Sequence, residues 1–301
     1  MNKYSEHPSD PYFDATHGIL RNRLNITDAA ELERVEAALV AVRSVELALD
    51  PVKGCFDLKH LQQIHHRLFS DVYDWAGQIR TVDVSKGSTR FAHHAHIESY
   101  APQITELLAR ERHLQGLSPA DFSERAGHYL GELNVLHPFR EGNGRSLREF
   151  INQLSHQAGY HISWQGIDKE ANIQASIAAF QGDSSQLARL ISANLVDYDR
   201  QRAIDLARDD VGADSRIVAA QENQAYTGRI LGLTDRYVIQ ALPSPSKDVV
   251  LHERRTLSAS ASLLPGQVVR VAYPHGRVGL VTEPAQNDLN IQRTMDRGFE
   301  R

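Results

Sequence analysis

The segment from His137 to Arg148, His-Pro-Phe-Arg-Glu-Gly-Asn-Gly-Arg-Ser-Leu-Arg, constrains this chain more than any other, because it joins two amphipathic helices through a loop with few backbone solutions. Upstream, Ser118-Pro119 supplies a cap and an N1 proline, and Phe122, Ala126, Tyr129, Leu130, Leu133 and Leu136 recur on one face. Downstream, Leu147, Phe150, Ile151, Leu154 and Ala158 form a second stripe that Gly159 ends. The spacing predicts a helix from near Gly144, with Arg145, Arg148 and Asn152 on the face opposite its apolar stripe. Pro138 removes a donor from the loop, and Gly142 and Gly144 permit the positive dihedrals of a tight turn. The expected result is a concavity of backbone amides at a helix N-terminus.

Such a concavity binds anions, because orphan amides and the positive end of the helix dipole meet there, and two arginines one turn apart add bidentate phosphate recognition. A polyphosphate is the natural guest. Glu141 is a hard oxygen ligand suited to Mg²⁺, and His137, with an unperturbed pKa near ~6.5, suits a general base. Taken singly, each feature has a plainer reading: a loop histidine, a turn, solvent-facing arginines. Taken together they do not reduce to those. No Gly-Lys-Ser/Thr follows, so this is not a Walker loop, and the second histidine of a zincin is missing.

The segment resembles the signature of the Fic (filamentation induced by cAMP) family, His-Pro-Phe-x-Asp/Glu-Gly-Asn-Gly-Arg-x-x-Arg, at every fixed position. Enzymes of that family typically transfer the AMP part of ATP to a hydroxyl (Tyr, Thr or Ser) of a target protein. The resemblance makes His137 the base, Glu141 the magnesium ligand, Gly142, Asn143 and Gly144 the anion hole, and Arg145 and Arg148 the partners of the distal phosphates; Phe139 becomes a core anchor. Val72-Tyr-Asp-Trp-Ala-Gly-Gln-Ile-Arg80 resembles the Tyr-x-Trp-Ala-Gly element that precedes the active-site flap in many Fic proteins. Behind it Val82 and Val84 alternate with polar residues, Ser85-Lys-Gly-Ser88 reads as a turn, and a short hairpin is expected. In the family this hairpin overhangs the cleft, so its edge at Val82 and Val84 would accept an extended target segment, with Lys86 touching target or phosphate, or simply solvated. Two alternatives stand beside AMP transfer: Fic-type transfer of another phosphate-containing group, and a non-catalytic nucleotide-binding module.

Composition narrows the partners. A formal net charge of −5 over 301 residues, with pI near 6.3, gives no general affinity for nucleic acid or anionic membrane. The single cysteine, Cys55, excludes an intramolecular disulfide and a multi-cysteine zinc site, and reads as a small buried thiol. The polar N-terminus offers no signal-peptide core and no run reaches membrane-spanning length, so the expected location is the cytoplasm of the producing bacterium, with secretion into a host or recipient cell as an extension. His65 and His66 read as surface or core-edge residues on a helix. His93, His94 and His96 read as surface histidines, since they lack a nearby cysteine or fixed helical spacing.

Elsewhere Thr27 is the expected cap of a long helix to Leu49 with Leu32, Val35, Leu39 and Val42 as its stripe, and Asp57 caps another. Helices are expected over 97–113, 169–180 and 185–207. After about 210 the pattern changes to short strands at 226–233, 237–242, 249–252, 268–272 and 278–282. The expected architecture is mainly α: a helical Fic fold with a β-hairpin flap over 1–210, then a small OB-like β-barrel over 211–301. That order resembles the Fic and OB portion of Bartonella effector proteins, whose later type IV delivery domain has no counterpart here, as in an excised portion. For the barrel, sparse aromatics (Tyr226, Tyr237, Tyr273) favour a structural or delivery-coupling role over strand binding. Many Fic proteins also carry an inhibitory Ser/Thr-x-x-x-Glu-Gly/Asn helix. No segment here fits it, which points to restraint by a small antitoxin-like protein in trans.

Overall fold

Asp28 opens the first long helix, α1 (Ala29–Leu49), where its carboxylate accepts the Glu31 amide at 2.7 Å. The cap is therefore Asp28, one residue past Thr27. The computed structural model describes residues 10–87 and 89–284; residues 1–9 of the polar N-terminus, Ser88 of the expected turn and residues 285–301 of the expected barrel lie outside them. α1 buries Leu32, Glu36, Val40 and Leu47 most deeply; of the expected stripe Val35 and Leu39 are half-buried, Leu39 against the core, while Val42 is 58% exposed. The helix is rotated toward the side on which Glu36 finds its partners.

Cys55 lies between α1 and α2 (Leu58–Phe69) and is exposed, not buried. Its neighbour Phe56 takes the inward position, on a backbone with φ 55°, and packs edge-on against Phe150. Asp57 caps α2, accepting the His60 amide at 2.8 Å. The elements that position the motif are α2, α3 (Ile97–Arg110), α4 (Pro119–Leu136) and α5 (Asn143–Gln157). Their common core holds Leu61, Ile64, Leu68, Phe122, Tyr129, Leu133, Phe139, Leu147, Phe150 and Leu154, each contributing about 1.5–3 kcal/mol on burial. α6 (Lys169–Phe180) and α7 (Ser185–Ala193) close the far side of α4. A Cβ at Gly127 would lie 2.6 Å from the Ala188 nitrogen, so glycine there sets how closely α7 approaches.

The strands of this unit are short: β1 (Phe13–Asp14) pairs with β2 (Ile19–Leu20), and β3 (Ser85–Lys86) pairs with β4 (Thr89–Arg90), followed by β5 (Tyr160–Ile162). The helix expected from Ser185 to about Ala207 is interrupted by β6 (Leu195–Asp197), after which Asp197 caps α8 (Tyr198–Val211) through the Arg200 amide at 2.8 Å.

Two compact units divide at Val196 and Asp197, which places α8 with the second one. There β7 (Arg216–Ala219), β8 (Ala225–Leu233), β9 (Tyr237–Ala241), β10 (Asp248–Glu253), β11 (Val268–Ala272) and β12 (Leu280–Thr282) form one sheet ordered β12-β11-β8-β9-β10-β7. Neighbours are antiparallel except β7, which runs parallel to β10. Among the described residues no pairing joins β12 to β7, so this is an open six-stranded sheet and not the closed barrel expected. Both faces are covered: α8 supplies Ala203 and Ala207 against Ile239, Val249 and Leu251, while Leu257 and Leu263 cover Ile230, Val238, Val269 and Val271. Tyr237 and Tyr273 are buried in these layers and offer no stacking platform.

Candidate active site

α4 ends one residue before the motif, and His137 takes its C-cap position in the left-handed region, φ 45°, which turns the chain sharply. The imidazole is buried, its Nδ1 lies 3.2 Å from the Asn134 carbonyl, and the ring stacks on Phe91 with centroids 3.6 Å apart. A carbonyl can only accept, so Nδ1 carries the proton and Nε2 is the basic nitrogen. Burial lowers the His137 pKa to about 3, and the charges of Arg80 and Lys86 push the same way. The ring is therefore neutral at physiological pH, a weaker base than free imidazole but always in its accepting form.

The loop braces itself through Asn143. Its Oδ1 accepts the Phe139 amide at 2.9 Å and its Nδ2 donates to the Phe139 carbonyl at 2.7 Å. Gly142 has φ 81°, and a Cβ there would fall 2.4 Å from the Phe69 ring. Gly144 differs from the expectation: it sits inside the first turn of α5 with no positive φ, and nothing lies within 4 Å of where its Cβ would be. The Gly142 amide donates to Glu141 Oε1 at 3.0 Å, whereas the amides of Asn143 and Gly144 meet no acceptor among the described residues. The open part of the concavity is thus Asn143 and Gly144.

Arg145 is held on three sides. It reaches Glu36 Oε1 at 2.7 Å, approaches Glu141 Oε1 at 3.6 Å, and lies over the Phe69 ring at 4.7 Å. The other Glu36 oxygen accepts from the Tyr73 hydroxyl, whose pKa is pushed well up by burial and by the Glu36 charge. Arg148 has no hydrogen-bond or ion-pair partner among the described residues; burial, then the like charge of Arg145, lowers its pKa. Beneath Glu141, His65 accepts the Gly77 amide on Nδ1 at 2.8 Å and donates from Nε2 to the Glu141 carbonyl at 2.9 Å. His65 is a core residue between Phe69 and Phe139, held neutral by burial with a pKa of about 3; His66 is exposed.

The hairpin is shorter than its sequence suggested, with Ser85 opposite Arg90 and Lys86 opposite Thr89. Val82 and Val84 precede it. Val84 is buried, its carbonyl accepts the Phe91 amide at 3.3 Å, and the Val82 carbonyl accepts Arg80 Nη1 at 2.7 Å. Lys86 is exposed and close enough for its charge to act on His137. Arg80, itself buried, ties flap to motif: Nε donates to the His137 carbonyl at 2.8 Å and Nη2 to the Ala92 carbonyl.

The Fic/DOC family model matches residues 55–155. "Probable protein adenylyltransferase Fic" of Escherichia coli (strain K12) is 45% identical over 184 residues, which are 61% of this chain and 90% of that protein. The chain belongs to the Fic/DOC family. Protein adenylyltransferase VbhT of Bartonella schoenbuchensis is 50% identical to it over 219 residues, 73% of this chain, but the match spans only 45% of the length of VbhT. Among solved structures, the BepC protein, a VirB-translocated effector of Bartonella tribocorum with bound AMPPNP, aligns with TM-score 0.58 and 27% identity over 62% of this chain and 96% of that one. The second unit matches the KfrB Domain model over residues 225–282.

Within the Fic domain, several site residues escaped the sequence reading. Glu36 left one trace, a charged residue in the buried register of α1 with Leu32 and Val40. Tyr73 and Arg80 belong to the Tyr-x-Trp-Ala-Gly stretch, whose pattern gives them no role, and nothing local in the sequence marks Phe91. Another hidden brace is Asp10, whose carboxylate accepts from the buried Arg140 at 2.8 Å.

Proposed function

We propose that this chain is a protein adenylyltransferase that moves the AMP of ATP onto a hydroxyl side chain of a target protein. One observation carries the reading: the complete motif stands braced at the start of α5, with the amides of Asn143 and Gly144 and the Arg148 guanidinium without partners among the described residues, as a polyphosphate acceptor requires. The AMPPNP bound to BepC supports a nucleotide as the guest.

The target hydroxyl oxygen attacks the α-phosphorus in line, the bond to the pyrophosphate oxygen breaks, and the hydroxyl proton passes to Nε2 of His137, which Asn134 keeps as the accepting nitrogen. Asn143 and Gly144 amides, Arg145 and Arg148 hold the phosphates, so this chain contributes chiefly positioning and charge neutralisation. The residues present fit Mg²⁺: Glu141 spends Oε1 on the Gly142 amide, while Oε2 has no protein partner among the described residues, and Mg²⁺ takes one or two carboxylates plus phosphate oxygens. That ion would neutralise charge on the bound phosphates.

Target registration is assigned to the flap around Val82, Val84 and Lys86; the exposure of Lys86 supports this, with the Val82 and Val84 carbonyls serving to shape the flap from inside. Restraint is assigned to a separate small helical protein, since no glutamate meets Arg148 among the described residues. The decisive experiment incubates the chain with target-cell lysate and α-labelled or γ-labelled ATP. Label on protein from the α-position only, lost in His137→Ala, supports AMP transfer; label from the γ-position, or none, overturns it.

A further inference from the structure

One cluster lies outside the phosphate-facing residues. Asp83 precedes β3, and His93 and His94 follow β4, so the three bracket the flap at its base. Each offers one ligand atom, and these atoms lie within 4.8 Å of one another. His93 Nε2 is 3.3 Å from Asp83 Oδ2, and His94 Nδ1 is 2.9 Å from Asp83 Oδ1. A tetrahedral ion with ligands at about 2.0–2.1 Å separates its ligand atoms by roughly 3.4 Å, so small side-chain rotations suffice. The His94 amide also donates to Asp83 Oδ1 at 2.8 Å, which fixes the carboxylate, and Asp83 and His93 are exposed to entering ions.

We propose that Asp83, His93 and His94 form a Zn²⁺ site that clips the base of the flap. Two imidazoles and one carboxylate are a zinc donor set, whereas Mg²⁺ prefers oxygen ligands and retains its water. Three protein ligands leave a fourth position for water or a target side chain. Zinc takes lone pairs of neutral imidazoles, and no oxidation state changes. Binding at His93 Nε2 places the ring proton on Nδ1, so the long 3.3 Å bond from the Ala95 amide is given up. Arg80 Nη1, 3.7 Å from Asp83 Oδ1, opposes the ion, but that guanidinium is directed to the carbonyls of Val82, Ala92 and His137. The clip matters for the site because Phe91, which stacks on His137, lies inside the loop it closes.

The test uses the full chain stripped with a chelator, then titrated with Zn²⁺ against a chromophoric zinc chelator. Asp83→Ala, His93→Ala and His94→Ala should each weaken binding at least about tenfold, some 1.4 kcal/mol. His156→Ala should not, although His156 Nε2 lies 3.0 Å from His161 Nδ1 in a pair without a carboxylate. In parallel, Zn²⁺ but not Mg²⁺ should slow tryptic cleavage after Lys86 and Arg90 in the natural chain and leave the rate unchanged in Asp83→Ala. Circular dichroism checks that the variants are folded. Zinc affinity equal in all three variants and the natural chain, or flap cleavage indifferent to zinc, overturns the proposal.

Discussion

Buried Glu36 on α1 and half-buried Arg145 on α5 form an ion pair of 2.7 Å, and the second Glu36 oxygen takes the Tyr73 hydroxyl. Arg145 would otherwise have long rotamer freedom; with Glu36 and Phe69 it is set before any nucleotide arrives. The pair also places a negative charge behind the cation proposed to hold phosphate, which would temper its strength while fixing its direction.

Replacing Glu36 by Gln keeps the shape and removes the charge. We expect kcat/KM for ATP to fall about ten- to a hundredfold, roughly 1.4–2.7 kcal/mol, mainly through KM, while Tyr73→Phe gives a smaller loss in the same direction. Steady-state kinetics with varied ATP checks this. Unchanged KM in Glu36→Gln would show that Arg145 is positioned by its own helix.

Acid should weaken the Fic domain through His65 and His137. Burial holds both near pKa 3 in the folded state, against about 6.5 when unfolded. Below pH 6.5 the unfolded chain binds protons that the folded one refuses, so the stability is fully present above 6.5 and is lost as pH falls toward 3. The loss is of order 1–2 kcal/mol per histidine by pH 5, and urea unfolding at pH 7 and 5 measures it; a shallower slope is expected in His137→Ala. The acid limb of kcat/KM should also lie well below 6.5.

Arg148→Ala should weaken ATP binding by about 1.5–3 kcal/mol and AMP binding by much less, because this guanidinium, alone of the two motif arginines in meeting no carboxylate among the described residues, suits the far phosphates. Calorimetry with both nucleotides decides the matter. Equal losses would move Arg148 to the α-phosphate or the sugar.

What was legible in the sequence was periodic or local. The stripes of α4 and α5, the Ser118 and Asp57 caps and the motif between them are carried by neighbours within a few turns. What was illegible depends on distant partners. Glu36 is an acidic residue on a helix until Tyr73 and Arg145 arrive from other elements, and Phe91 becomes meaningful only against His137. β7 is four residues long and exists through parallel pairing with β10, some thirty residues away. Barrel closure likewise turns on which strands meet, and strand periodicity says nothing about that.

Gly142 and Gly144 look equivalent in the motif and differ in the structure, which gives a paired prediction. At Gly142 alanine meets the Phe69 ring and a positive φ, so Gly142→Ala should destabilise the domain by about 1–3 kcal/mol, visible as a lower Tm with activity lost in proportion. At Gly144 the backbone is helical and the space around a Cβ is open. Alanine is the better helix former by up to about 1 kcal/mol, so Gly144→Ala should keep or slightly raise Tm. If the open space is where phosphate oxygens approach the Asn143 and Gly144 amides, the same methyl should weaken ATP binding about tenfold or more. A Gly144→Ala protein that is fully stable and binds ATP as before would place the triphosphate elsewhere, and a Gly142→Ala protein of normal stability would mean that Phe69 can move aside.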